Sequence, residues 1–293
     1  MAVCIIIAGA FAPELEPFQS LNNKIVKIDD QEFKILLKEA GIGNVKAALS
    51  VSRWYQEAKE SNCSIREIVF VGSSGLYLSS KNQPVLQFEN HSIESSASEK
   101  TVLDNSSIKN VTIETKTIED VTTGNPIIED PKATILPSLS TDLVSINLPI
   151  AIFSSKYCSY ELSTLIKPPQ AKVIESLSAL IQTNLSSDAK LSHRLSNVAV
   201  KAVVNSPNAV SLLPIDSNEL AQRTKESSST LFVENLEAFG MANACLELNL
   251  NFSCFLSVTN FVSKEGSIDW QKNFIAGANL LYSLLLPEIE LKS

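Results

Sequence analysis

Leu231-Phe-Val-Glu-Asn-Leu-Glu-Ala-Phe-Gly-Met-Ala-Asn-Ala-Cys245 is the stretch on which the fold turns. Its apolar start reads as a strand, and the residues from Ala238 onward read as a short helix. Where one gives way to the other stand two carboxylates, Glu234 and Glu237, and the amide of Asn235. A second buried strand, Phe252 to Thr259, follows and ends on another amide, Asn260. Polar side chains are thus delivered to strand ends inside an apolar scaffold. In open α/β sheets the ligand crevice lies outside the carboxyl ends of strands.

Working outward, Val198 to Asn205 reads as another central strand. Asp216 to Lys225 reads as a helix capped by Asp216 or Ser217. Trp270 to Leu286 reads as an amphipathic helix ended by Pro287. At the other end of the chain, Val3-Cys-Ile-Ile-Ile-Ala8 is a continuous apolar run, the pattern of a strand buried on both faces. Lys24 to Ile28 and Phe33 to Leu37, separated by Asp29-Asp30, predict a hairpin. Gly41-Ile-Gly-Asn-Val-Lys-Ala-Ala opens a helix running to about Lys59. Ile68-Val-Phe-Val71 is a strand that runs into a glycine turn, Gly72-Ser-Ser-Gly75. Strand, helix and strand in this order predict an α/β fold.

The middle of the chain is less patterned. Ser92 to Asn125, rich in Ser, Asn and Thr, predicts exposed strands and loops. Val144 to Phe153 predicts a strand and Ala171 to Leu185 a helix. The expected organisation is one domain over residues 1–293 with a divergent insertion or flap at about 90–195.

With 293 residues and 44% hydrophobic content, the chain can bury a sizeable core. Its 24 Lys and Arg residues, net charge of -8 and lack of a basic cluster exclude a nucleic-acid surface, because phosphate neutralisation needs grouped cations. A small molecule is the expected partner. No stretch is long and apolar enough to span a membrane, and Ala2 to Ala12 reads as a first strand rather than a signal peptide. The 5 cysteines form no CxxC pair and are expected to be reduced thiols in a cytoplasmic protein. His91 and His193 have no partner at ligand spacing, so no metal site is expected. No dinucleotide or phosphate-loop motif occurs, and no cofactor is expected.

Four polar positions recur at strand ends: Glu14 after the first, Ser73 after the strand at Ile68, Glu234 or Glu237, and Asn260. Each has a plain structural reading, such as a first-turn acid for Glu14 or Glu237 and a turn residue for Asn260. Their recurrence at one end of the sheet points to a shared cleft.

In combination and order the segments Ile5-Ile-Ile-Ala-Gly-Ala-Phe-Ala-Pro-Glu-Leu15, Gly41 to Ala48, Val71-Gly-Ser-Ser-Gly-Leu76, Val233-Glu-Asn-Leu-Glu-Ala238 and Ser257-Val-Thr-Asn260 resemble the nucleoside phosphorylase and nucleosidase superfamily. The likeness is to the methylthioadenosine/S-adenosylhomocysteine nucleosidases and the futalosine hydrolases in particular. It implies a three-layer α/β/α fold with a central mixed, partly barrel-like sheet. Glu14 then matches the water-activating acid and Glu237 the carboxylate that binds the ribose hydroxyls. Ser73 and Gly75 lie beside the ribose, and Leu236 stands where a methionine usually packs under the sugar. The backbone near Ala209 to Ser211 is expected against the base, with Phe11 and Phe261 lining the pocket. Asn260 falls where the adenine-specific enzymes carry an aspartate. An amide offers a donor to a 6-oxo group, so a 6-oxopurine is the better expectation.

The resemblance implies hydrolysis of a purine nucleoside, by Glu14 and Asn260 as catalytic residues, in a homodimer. Phosphorylases of the superfamily place arginines around the glycine turn. The arginines here, Arg53, Arg66, Arg194 and Arg223, do not stand in it, which favours water as the nucleophile. Two alternatives stay open: a degenerate member that binds a nucleoside or a protein without turnover, and a phosphate-dependent phosphorylase.

Overall fold

The computed structural model describes residues 2–78, 148–166, 169–170 and 179–292, with the backbone of 85–86 and 113–114. Chain contacts divide it into two units, residues 1–80 with 148–293, and residues 81–147. In the second unit β5 (Val85–Leu86) pairs antiparallel with β6 (Ile113–Glu114); β8, in the first unit, is the two-residue strand Ile181–Gln182. The remaining elements belong to the first.

The first unit is built on a mixed sheet flanked by helices. Strand β1 (Ala2–Gly9) lies between β3 (Gln31–Glu39) and β4 (Cys63–Leu76), parallel to both. β2 (Ile25–Ile28) returns antiparallel on β3. Their hairpin turns at Asp29 and Asp30, with φ of 46° and 64°, values that aspartate tolerates better than most residues. On the other side β11 (Asn251–Phe261) runs parallel to β4 and antiparallel to β7 (Ile150–Cys158). β9 (Val200–Asn205) and β10 (Leu231–Glu234) follow in parallel. The far end of β4 then pairs antiparallel with β10, Gly75 opposite Glu234 and Leu76 opposite Val233. Strands β4, β11, β7, β9 and β10 therefore close a ring at one end of an otherwise open sheet. This is the mixed, partly barrel-like sheet that the resemblance implies.

Helices cover both faces. Ile5, Ile7, Val69, Val71 and Phe255 form one core with Leu281 and Leu285 of the C-terminal helix, Gly266–Leu285. The two-residue period of a strand sends the intervening Cys4, Ile6, Ile68 and Phe70, all buried, to the other face. There the helices Asn44–Glu60 and Ala238–Glu247 pack on each other and on the sheet.

These two helices meet at Gly240. Its N–H donates to Asn44 Oδ1 at 2.8 Å, and a Cβ there would lie 2.1 Å from the Asn44 carbonyl oxygen. A backbone oxygen at a helix start cannot swing aside as a side chain does. Gly240→Ala is expected to cost about 3 kcal/mol by overpacking, lowering the melting temperature by roughly 5–10 °C. An unchanged melting curve would mean that the helices slide apart freely.

The structure corrects four sequence expectations. Gly72-Ser-Ser-Gly75 is not a turn. β4 continues through it, because Gly72, Ser73 and Ser74 pair with Leu256, Ser257 and Val258, and Gly75 pairs with Asn260. The strand expected from Val144 to Phe153 begins at Ile150 and runs on to Cys158; Pro149 has no N–H to give to a ladder, and residues 144–147 lie outside the described residues. Of the helix expected from Ala171 to Leu185, residues 171–178 lie outside them too. Ile181–Gln182 is a short strand on β7, held there by Thr183, whose N–H and hydroxyl bond Ser155 O and Phe252 O. The C-terminal helix starts at Gly266 rather than Trp270, with Asp269 in its first turn, where the helix dipole favours a carboxylate. Ser92 to Asn125 lies outside the described residues apart from the backbone of 113–114.

Candidate functional site

The ends of β1, β4, β10 and β11 and the start of the C-terminal helix surround a cleft of about 320 Å³, within the usual range for small-molecule pockets. Glu14, Ser73, Gly75, Leu236, Glu237 and Asn260 all line it, as does Phe11. Residues from Phe11 to Asn260 are thus brought together. Ala209 and Phe261 are not among the lining residues. Ala209 is exposed, and its neighbours Val210 and Ser211 line the cleft instead. Phe261 pairs with Leu76 in the sheet, and Val262 takes the lining position.

Glu14 sits in the helical turn Ala12–Leu15, which Phe11 caps shortly after β1 and whose second residue is Pro13. Its side chain turns inward and is buried. Oε1 accepts from the Ser73 N–H at 3.0 Å and the Ser73 hydroxyl at 2.9 Å. Oε2 accepts from the Ala10 N–H at 2.9 Å. Burial pushes its pKa up, against the pull of these three donors. Position 72 must be small, because a Cβ there would lie 3.1 Å from each carboxylate oxygen.

Glu237 arrives on the Glu-Asn-Leu-Glu run. Asn235 fixes that run: its Oδ1 accepts from the N–H groups of Glu237 and Ala238, capping the helix start. Its Nδ2 donates to Ser73 O at 3.2 Å, tying the run to β4. Glu237 Oε1 accepts from the Gly43 N–H at 3.0 Å. Gly43 has φ of 89°, a backbone conformation that only glycine adopts without strain, and this conformation serves the donation. Burial raises the Glu237 pKa to about 7; the Gly43 donor opposes the shift and the charge of Glu14 adds to it. Two buried carboxylates in one cleft repel each other, and each favours the proton on its neighbour.

The other acid of the run, Glu234, faces the far wall. Oε1 accepts from the Ser211 N–H at 2.9 Å and Oε2 from the Tyr77 hydroxyl at 2.5 Å. Asn205 Nδ2 donates to the same hydroxyl at 2.9 Å. Burial and the Glu234 charge push the Tyr77 pKa well up, so it remains a donor. Glu234 therefore anchors the segment at Ser211 to the cleft.

Asn260 reaches the cleft through an irregularity in β11. The register shifts between Val258 and Asn260, and a bulge of this kind re-aims a side chain. Its Nδ2 donates to Phe261 O at 2.9 Å, and its Oδ1 accepts from the Thr259 hydroxyl at 3.0 Å. One N–H and one lone pair remain for a ligand. Gly75 leaves the room, since a Cβ there would lie 3.0 Å from Asn260 Nδ2.

Among the described residues no lysine, arginine or histidine lines the cleft. The arginines are engaged elsewhere: Arg66 with Asp188, Arg194 with Asp29, Arg223 with Thr164 O, and Arg53 with Ser50 and Glu57. No group of three or more His, Cys, Asp or Glu among the described residues is placed to hold a metal, and no helix among them is long and apolar enough to cross a membrane. Sequence reasoning missed the roles of Gly43 and of the Trp270 indole, whose N–H donates to Ser73 Oγ at 2.8 Å. The signal for Gly43 was present in Gly41-Ile-Gly, which reads equally as a tight start to a helix.

No family model matches the chain, and no curated protein matches it by sequence. Solved structures do match in fold. A methylthioadenosine nucleosidase variant from Helicobacter pylori with 5′-methylthioadenosine in its active site superposes with a TM-score of 0.56 at 12% identity, over 98% of this chain and 98% of that one. A mutant of futalosine hydrolase from Helicobacter pylori gives 0.56 at 13% identity, again over 98% of each chain. The Streptococcus pneumoniae MTA/SAH nucleosidase in complex with 8-aminoadenine gives 0.55 at 12%, over 97% of this chain and 98% of that one.

Proposed function

From the nucleosidase fold that this chain has, we propose that it hydrolyses the N-glycosidic bond of a purine nucleoside, with a 6-oxopurine as the preferred base. The observation that carries this reading is the pairing of two buried carboxylates, Glu14 and Glu237, in a cleft where no lysine, arginine or histidine among the described residues stands. Glycosidic cleavage passes through an oxocarbenium-like transition state, and anionic groups stabilise the positive charge that develops on the sugar. In the proposed reaction Glu237 accepts hydrogen bonds from the ribose hydroxyls. Glu14 takes a proton from water as its oxygen bonds to the anomeric carbon, and the bond to the base nitrogen breaks with its electron pair leaving on the purine. Asn260 donates to the base, and the purine takes its proton from solvent, because an amide cannot supply one.

The lining supports water over phosphate as nucleophile, since a phosphate in this cleft would meet three carboxylates, Glu14, Glu234 and Glu237, and no lysine, arginine or histidine among the described residues. The free thiols support a cytoplasmic setting. Exposed Ile42 and Val210 at the cleft, with Val45 and Leu49 on the helix beside them, support a homodimer in which a second copy covers this rim. A binder without turnover is the second reading, favoured by the lack of an acid at Asn260.

The test is chromatography of released base from inosine, futalosine, methylthioadenosine and S-adenosylhomocysteine, with and without phosphate. Hypoxanthine released at the same rate in both is expected. Adenine release would refute the assignment of Asn260, and a requirement for phosphate would refute hydrolysis. Tight binding without release would establish the second reading.

A further inference from the structure

The Trp270 indole N–H lies 2.8 Å from Ser73 Oγ, and Ser73 Oγ lies 2.9 Å from Glu14 Oε1. A serine hydroxyl has one hydrogen. Indole nitrogen only donates, so Ser73 Oγ is the acceptor in the first contact, and its own hydrogen is directed to Glu14. Oε1 also accepts from the Ser73 N–H, which fills both of its lone pairs. Among the described residues Oε2 accepts only from the Ala10 N–H and keeps one lone pair.

We propose that Trp270 is a positioning residue for Glu14: its indole N–H holds the Ser73 hydroxyl as a donor to Oε1 and thereby directs proton uptake from the attacking water to Oε2. This deepens the reading of Glu14 as the base and rests on it. The ring is itself held in place, stacked on Phe274 with centroids 4.9 Å apart and planes at 17°, and 6.2 Å from Phe11. The Phe11 carbonyl accepts from the Glu14 N–H at 3.1 Å. One indole therefore contacts both the hydrogen-bond partner of Glu14 and the residue that starts its helical turn. Glu234 and Glu237 are the other titratable groups lining the cleft. On the helix of Trp270, Asp269 and Lys272 pair with each other at 3.4 Å.

The chain has 2 tryptophans, so a proton–nitrogen correlation spectrum contains two indole signals, and Trp270→Phe assigns one to Trp270. That signal is expected to move with pH as Glu14 titrates, and to stop moving in Ser73→Ala and in Glu14→Gln. In the base-release assay Trp270→Phe, which keeps the ring and its stacking, is expected to lower kcat about tenfold with KM within about twofold, the effect of one lost hydrogen bond. The acid limb of its pH profile should move to higher pH, because the carboxylate loses a fixed donor. A signal indifferent to pH and to Ser73→Ala would overturn the proposal. So would wild-type kcat and pH profile in Trp270→Phe while Glu14→Gln is inactive. A wild-type rate in Glu14→Gln overturns the assignment of the base itself, a separate failure recognisable because the indole of the unmutated protein still titrates.

Discussion

Glu237→Gln is expected to abolish base release and to make the protein more stable at alkaline pH. The first effect is a loss of at least about a hundredfold, the scale seen when a preorganised group facing transition-state charge is removed. The second follows from linkage. Glu237 is buried and its folded pKa is raised from 4.5 to about 7, so the folded state holds a proton that the unfolded chain releases. Its contribution to stability is fully present below 4.5 and is lost as pH rises through about 7. At 1.36 kcal/mol per pH unit, that span of 2.5 units is worth about 3 kcal/mol. Glutamine keeps an oxygen for the Gly43 N–H and carries no charge. Denaturation of the variant and the wild type should therefore diverge by about 1–3 kcal/mol at pH 8 and converge at pH 5. Equal stability at both pH values would show that the cleft does not strain this carboxylate. The same titration predicts that kcat/KM of the wild type rises through about pH 7 as Glu237 ionises.

Glu14→Gln should match it in activity but not in stability: burial raises the Glu14 pKa too, so a neutral side chain again relieves a buried charge as pH rises, yet it forfeits hydrogen bonds that the carboxylate accepts. Removing a general base costs about a hundredfold or more, while nucleoside binding through Glu237 should persist, as equilibrium dialysis would reveal. Its three backbone and hydroxyl donors are the difference. A carboxamide has one oxygen, so whichever way it turns, its NH₂ meets an N–H that also donates. Leaving a buried donor unpaired costs about 1–3 kcal/mol. The variant should also lower the pKa of Glu237, because the Glu14 charge that raises it is gone. Wild-type turnover in Glu14→Gln would exclude it as the base; unaltered stability would show that its donors find other partners.

The comparison of Glu14 and Glu237 shows how far the sequence could be read. Both residues were visible as acids at strand ends, because strand periodicity and the start of a helix are local patterns. What separates them, the Ala10 and Ser73 donors to Glu14 and the Gly43 N–H to Glu237, depends on contacts 4 and 59 residues away for one and 194 for the other. The strand and helix sequence was legible for the same local reason. Gly72 to Gly75 was misread because a glycine and serine run has turn propensity, whereas here small residues let β11, β10 and the Glu14 carboxylate approach from three directions. Asn260 was legible as a strand-end amide, but its aim depends on a bulge that no residue type announces. Trp270 was legible only as a helix residue, since its N–H finds Ser73 across 197 positions.

The ring closed by β10 on β4 has a consequence for how substrate preference can change. Gly75 and Leu76 are paired on both sides, with β11 and with β10, so the floor beneath the reacting atoms is pinned in register from two directions and tolerates little remodelling. The rim is of a different kind: Ile42 and Val210 are exposed apolar side chains in loops, carrying no bond on which Glu14 or Glu237 relies. On the proposed function, specificity and chemistry are thereby separable in this scaffold: exchange of rim residues would redirect the cleft to other nucleosides while the floor is inherited intact.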